Sequence, residues 1–127
     1  MQSILLVGLG GFLGAVARYT LGGFLLHMTA QDRFPVGTFT INVLGCLVVG
    51  VLAGVAERYD VPGPDARLFL FTGLLGGFTT FSAFGLEAMH LVRRGDPGTA
   101  ALYAAGSVVL GVTAVWLGLK LVAMFPR

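Results

Sequence analysis

Apolar residues fill this chain in four long runs, broken only by short polar connections. The runs span about residues 3–28, 37–56, 67–92 and 99–125. Each reaches or exceeds the roughly 20 residues that a helix needs to cross a hydrocarbon core of about 30 Å. The connections TAQDRFPV, ERYDVPGPDA and RRGDPG are polar and rich in Pro and Gly, as turns require. The pattern predicts an all-α membrane protein, a single domain over 1–127 with four transmembrane helices. Short loops predict that successive helices are antiparallel neighbours.

Composition supports this picture and narrows the function. Of 127 residues, 56% are hydrophobic and 11% charged, too little charge for a soluble surface. Twenty glycines suit close helix packing in lipid. The single cysteine, Cys46, has no partner for a disulfide, and metal sites need several ligands. A net charge of +2 without a basic cluster does not suggest a nucleic-acid partner, and none is expected. A cleaved signal peptide is not expected, because no basic region precedes the first run. GLGGFLG, Gly8 to Gly14, has the wrong spacing and setting for a dinucleotide fingerprint, and packing through Gly10 and Gly14 accounts for it.

Basic residues are almost evenly split between the two ends. Arg58, Arg67, Lys120 and Arg127 fall on one side, Arg33, Arg93 and Arg94 on the other. Orientation normally follows such a bias. Near balance leaves both insertions open and makes an antiparallel homodimer plausible.

The third run contains GLLGGFTTFSAFG, Gly73 to Gly85. Gly costs about 1 kcal/mol against Ala in a helix, and Thr is also unfavourable. The cluster predicts that residues 76–80 leave regular helical bonding near mid-membrane. Such backbone is tolerated only inside protein or beside a watery cavity, and transporters use it to bind ions. The alternative is that Gly73 and Gly77 form a small-xxx-small packing face. Phe81 and Phe84, three apart, share a helix face. Their positive ring edges suit a small anion, and packing filler is the alternative.

Other polar positions extend the track. Thr38, Asn42, Gly45 and Val49 form one stripe on the second span. The Asn42 amide can donate to an anion or bridge two helices. Tyr103, Ser107 and Gly111 form a stripe on the fourth. Arg18 lies about 21 Å along the first helix at 1.5 Å per residue. From there it can draw anions to a vestibule or pair with Asp32 or a headgroup. Glu87 is a bridging carboxylate near the interface or a proton carrier. His27 and His90 fall near span ends, where interfacial hydrogen bonding accounts for them.

GGFLGAVARY (10–19), GTFTINVLG (37–45), GLLGGFTTFSAF (73–84) and YAAGS (103–107) together resemble the Fluc, or CrcB, fluoride channel family. The resemblance touches all four spans. It implies a dual-topology homodimer of antiparallel chains in the bacterial inner membrane. Two pores would export cytoplasmic fluoride passively and relieve its toxicity. Phe81 and Phe84 would line the pore. Asn42, Ser107, Tyr103, Thr80, Ser82 and Thr38 would follow the fluoride path, and Arg18 would stand near a vestibule. The backbone carbonyls of Gly76 and Thr79 would hold a structural sodium ion on the dimer axis. The family's TTFSTF is TTFSAF here, so Ala83 lacks a hydroxyl, and Gly111 replaces a hydroxyl residue found in some relatives. The competing reading is a proton-coupled small multidrug-type exporter that uses Glu87. A non-transporting assembly subunit would need no broken helix. None of the three is an enzyme.

Overall fold

A computed structural model describes residues 1–29 and 33–125; Asp32 and Arg127 lie outside them. The described chain is all helical. Helix α1 is Gln2–Met28 and α2 is Val36–Tyr59. Helix α3 (64–78) joins α-helical Pro64–Arg67, π-helical Leu68–Leu75 and α-helical Gly76–Phe78. Helices α4, Phe81–Arg93, and α5, Pro97–Ala123, follow. With α3 and α4 taken as one bent span, Pro64–Arg93, four segments are long and apolar enough to cross a membrane.

Local chemistry sets the helix ends. Pro64 and Pro97 each occupy a first-turn position, where a missing N–H costs nothing. Asp60 ends α2 in the left-handed region. Gly95 turns the chain at φ 80°, a conformation that L side chains rarely adopt. Asp96 caps α5, its carboxylate accepting from the Thr99 N–H at 3.1 Å. Hydrogen bonds from the Thr99 backbone and hydroxyl hold the Asp96 carboxyl below its ordinary range.

The closest packing joins next-but-one helices, and glycine makes it possible. A Cβ on Gly10 would lie 2.5 Å from the Phe69 carbonyl oxygen. One on Gly14 would collide with the Leu74 carbonyl, and one on Gly77 would lie 2.5 Å from the Gly11 oxygen. Thus α1 lies backbone to backbone along α3. On the other side, a Cβ on Gly118 would lie 2.6 Å from the Leu47 oxygen, and one on Gly50 would strike Val115. Thus α2 lies along α5 in the same manner. Loop length shows which helices follow one another, but small side chains decide which ones touch most closely. Successive helices also touch, α1 with α2 and α4 with α5, but less closely.

Gly73 and Gly77 serve that packing, and Gly76 keeps helical angles of φ −62° and ψ −36°. The chain leaves the helix only at Thr79 (φ −86°, ψ 156°) and Thr80 (φ −152°, ψ 118°). The break is therefore narrower than residues 76–80. Gly77 is a packing residue, Gly76 stays helical, and the threonines are the extended residues.

Candidate functional site: the broken third span

Thr79 and Thr80 are held extended by specific bonds. The Thr79 N–H and hydroxyl both donate to the Leu75 carbonyl, at 3.0 and 2.9 Å. Asn42 Oδ1 accepts from the Thr80 N–H at 2.9 Å, and Asn42 Nδ2 donates to the Thr80 carbonyl at 3.0 Å. One amide thus completes the exposed peptide as a neighbouring strand would. The Thr80 hydroxyl caps α4 by accepting from the Ala83 N–H at 3.3 Å. Arg18 Nε donates to the Gly77 carbonyl at 3.1 Å.

These bonds redirect two donors. In a continuous helix the Thr80 N–H would close onto the Gly76 carbonyl, and the Ala83 N–H onto the Thr79 carbonyl. The first goes to Asn42 and the second to the Thr80 hydroxyl. The carbonyls of Gly76 and Thr79 are thereby relieved of their helical donors.

Two cavities flank the break. One, about 430 Å³, is lined by Asn42, Gly76, Thr79, Thr80, Phe81, Phe84 and Ser107, with Cys46 on its wall. The other, about 640 Å³, is lined by Arg18, Arg33, Thr38, Thr80, Glu87 and Arg94, with His90 on its wall. Thr80 lines both. The Phe81 and Phe84 ring centroids are 5.3 Å apart, and Phe84 lies 5.0 Å from Tyr103. Phe81 is 83% exposed on this chain, whereas Tyr103 is fully buried.

The expected residues are therefore not all on one wall. Tyr103 lines neither cavity; its hydroxyl donates to Glu87 Oε2 at 2.8 Å. Thr38 donates to Glu87 Oε1 at 2.7 Å. Ser82 is exposed beside the break, 3.2 Å from the Thr80 hydroxyl. Gly111 is buried, and a Cβ there would lie 3.4 Å from Cys46 Sγ.

Glu87 joins α2, α4 and α5 through these two bonds. From the sequence, Glu87 reads as a bridge or a proton carrier. Its signal lay in pairing. Asn42 and Thr38 are one turn apart on α2, and their partners are Thr80, in the extended break, and Glu87, seven residues on along α4. The Arg18–Gly77 bond had no comparable signal, because it depends on the glycine contact between α1 and α3.

The family model described as CrcB-like protein, Camphor Resistance (CrcB), matches residues 5–119. The chain belongs to the CrcB family. A Methylobacillus flagellatus protein named fluoride-specific ion channel FluC is 52% identical over 124 residues, covering 98% of this chain and 97% of that one. Proteins of the same name from Nitratidesulfovibrio vulgaris and Novosphingobium aromaticivorans are 49% and 52% identical, covering 94% and 95% of this chain and 95% and 96% of theirs. This CrcB protein is a multi-pass membrane protein, which in bacteria places it in the cell membrane.

Proposed function

We propose that the protein is a fluoride channel, not an enzyme, and that it exports fluoride passively from the cytoplasm. Two antiparallel copies would form a dual-topology homodimer with two pores. The observation that carries this reading is the Asn42-stabilised break at Thr80, a residue in the wall of both cavities. The relatives' names supply the ion.

Fluoride would enter the cavity lined by Arg18, Arg33 and Arg94, whose positive charge raises the local anion concentration. Past Thr80 it would meet the cavity of Phe81, Phe84 and Ser107. Ring edges and a hydroxyl attract an anion without the deep well that a full positive charge would make. The free N–H groups at the start of α4 add a positive helix end beside the break. Asn42 orients this arrangement chiefly by holding the Thr80 peptide, and the second hydrogen on Nδ2 remains for the anion path.

Sodium fits the donor set at the break. The carbonyls of Gly76 and Thr79 are hard oxygens without their helical donors, the kind that unwound membrane helices offer to sodium. A pair from each antiparallel chain would hold the ion at the axis, where it would offset the negative end of α3. The near-even split of basic residues supports dual topology, since neither orientation is strongly preferred. The exposed face carrying Phe81 is where a second copy would complete the pore.

The exporter reading is less well supported. Glu87 is bonded by two hydroxyls that tie three helices together, and the relatives named here are fluoride channels. Liposomes loaded with potassium fluoride and watched with a fluoride electrode test the choice. Release on adding a potassium ionophore, with equal pH on both sides, supports the channel. No fluoride release with the ionophore, together with proton-gradient-driven transport of a small organic cation that Glu87→Gln abolishes and Phe81→Ile leaves intact, supports the exporter.

A further inference from the structure

Arg18 has two parts that face different tasks. Glycine packing brings α1 onto α3, and Arg18, one turn past Gly14, reaches the end of α3. There its Nε donates to the Gly77 carbonyl at 3.1 Å. The same side chain lines the cavity that also holds Arg33, Arg94, His90 and Glu87. Among the described residues it makes no ion pair with a carboxylate.

Gly77 lies in the last turn of α3, where carbonyls lack helical donors and carry the negative end of the dipole. The neighbouring carbonyls are treated differently. Leu75 receives both Thr79 donors, Gly77 receives Arg18, and Gly76 loses its donor to Asn42. A bond to Gly77 therefore fixes how the peptide planes on either side are turned. The remaining guanidinium nitrogens lie beyond Nε and carry the charge outward.

We propose that Arg18 is a positioning residue with two separable functions: its Nε–H locks the broken segment through Gly77, and its outer guanidinium charge concentrates anions in the adjoining cavity. The second function rests on the channel reading; the first does not.

Side-chain chemistry separates the two. The amide nitrogen of glutamine stands the same number of bonds from Cα as Arg Nε, so Arg18→Gln keeps the donor and removes the charge. Arg18→Lys keeps the charge and moves the donor one bond further out. Arg18→Met removes both at similar length. Each variant, in lipid nanodiscs, is compared with the native protein by amide hydrogen exchange over residues 78–82. In liposomes, fluoride flux is followed against fluoride concentration.

Exchange at 78–82 rises only slightly in Arg18→Gln, which keeps a neutral donor, and about tenfold or more in Arg18→Met, which loses the bond outright. Arg18→Lys also rises above Arg18→Gln. Half-saturating fluoride increases at least about threefold in Arg18→Gln and stays near native in Arg18→Lys, as focusing by charge requires. If Arg18→Met fails to fold, Gln against Lys still decides the point. Equal exchange in Gln and Lys, or half-saturating fluoride that ignores charge, overturns the proposal. If the native protein carries no fluoride, the channel reading fails, and the exchange comparison still decides the positioning function.

Discussion

Asn42 and Thr80 exchange two hydrogen bonds across the membrane interior, 2.9 Å from the Thr80 N–H and 3.0 Å to the Thr80 carbonyl. A side chain on α2 thus takes the place of the helical turn that the third span gives up. Buried peptide groups left without partners cost about 1–3 kcal/mol each, so the extended segment depends on this amide.

Asn42→Leu removes both bonds. The expected result is loss of fluoride flux and destabilisation by about 2 kcal/mol or more, read by thermal denaturation in detergent. Asn42→Asp keeps the acceptor for the Thr80 N–H and loses the donor, and is expected to fall between. Native stability in Asn42→Leu would show that the break needs no support from α2.

The glycine contacts give a position-specific prediction. Gly14→Ala and Gly118→Ala place a methyl against backbone oxygen, which cannot retreat without separating the helices. Both are expected to lose folded protein in size-exclusion chromatography. Gly98→Ala meets nothing within 4 Å and is expected to be neutral or to stabilise α5 by up to about 1 kcal/mol.

Glu87 supplies a test of the tie between three helices. Arranged as an amide, Glu87→Gln can still accept one hydroxyl proton and donate to the other oxygen. It is expected to keep both fold and fluoride flux. Tyr103→Phe deletes the bond to Oε2 outright and is expected to cost about 1–2 kcal/mol. Loss of flux in Glu87→Gln with intact fold would give the carboxylate a direct part in transport.

Asp96 provides a pH signature outside the membrane. Its folded pKa is depressed by the Thr99 bonds, so its stabilising effect is complete above about pH 4 and is lost as pH falls through the folded value. Asp96→Asn caps the helix without titrating. On acidification the native protein is expected to lose thermal stability relative to Asp96→Asn, and a constant difference would contradict this.

The spans were readable because lipid demands long apolar runs, and the polar stripe on α2 was readable because helical spacing put Thr38 and Asn42 on one face. The break was found but drawn too wide. Glycine weakens a helix and also lets helices approach, and Gly76–Gly77 gives the same signal for both. The geometry assigns Gly77 to packing and the extended backbone to Thr79 and Thr80. Nothing in LFLFTGLL marks a π-helix. Spacing puts Tyr103 on one face with Ser107 but does not give its depth. Its ring is enclosed by Phe34, Phe39 and Phe84.

Voltage-clamped planar bilayers bearing the purified protein, with potassium fluoride on one side and potassium chloride on the other, test passive fluoride conduction most directly. The account predicts a current that needs no pH difference and a reversal potential displaced strongly from zero, in the direction set by fluoride permeating far more readily than chloride. An electroneutral flux without current, or a reversal potential that shows chloride passing as readily as fluoride, would contradict it.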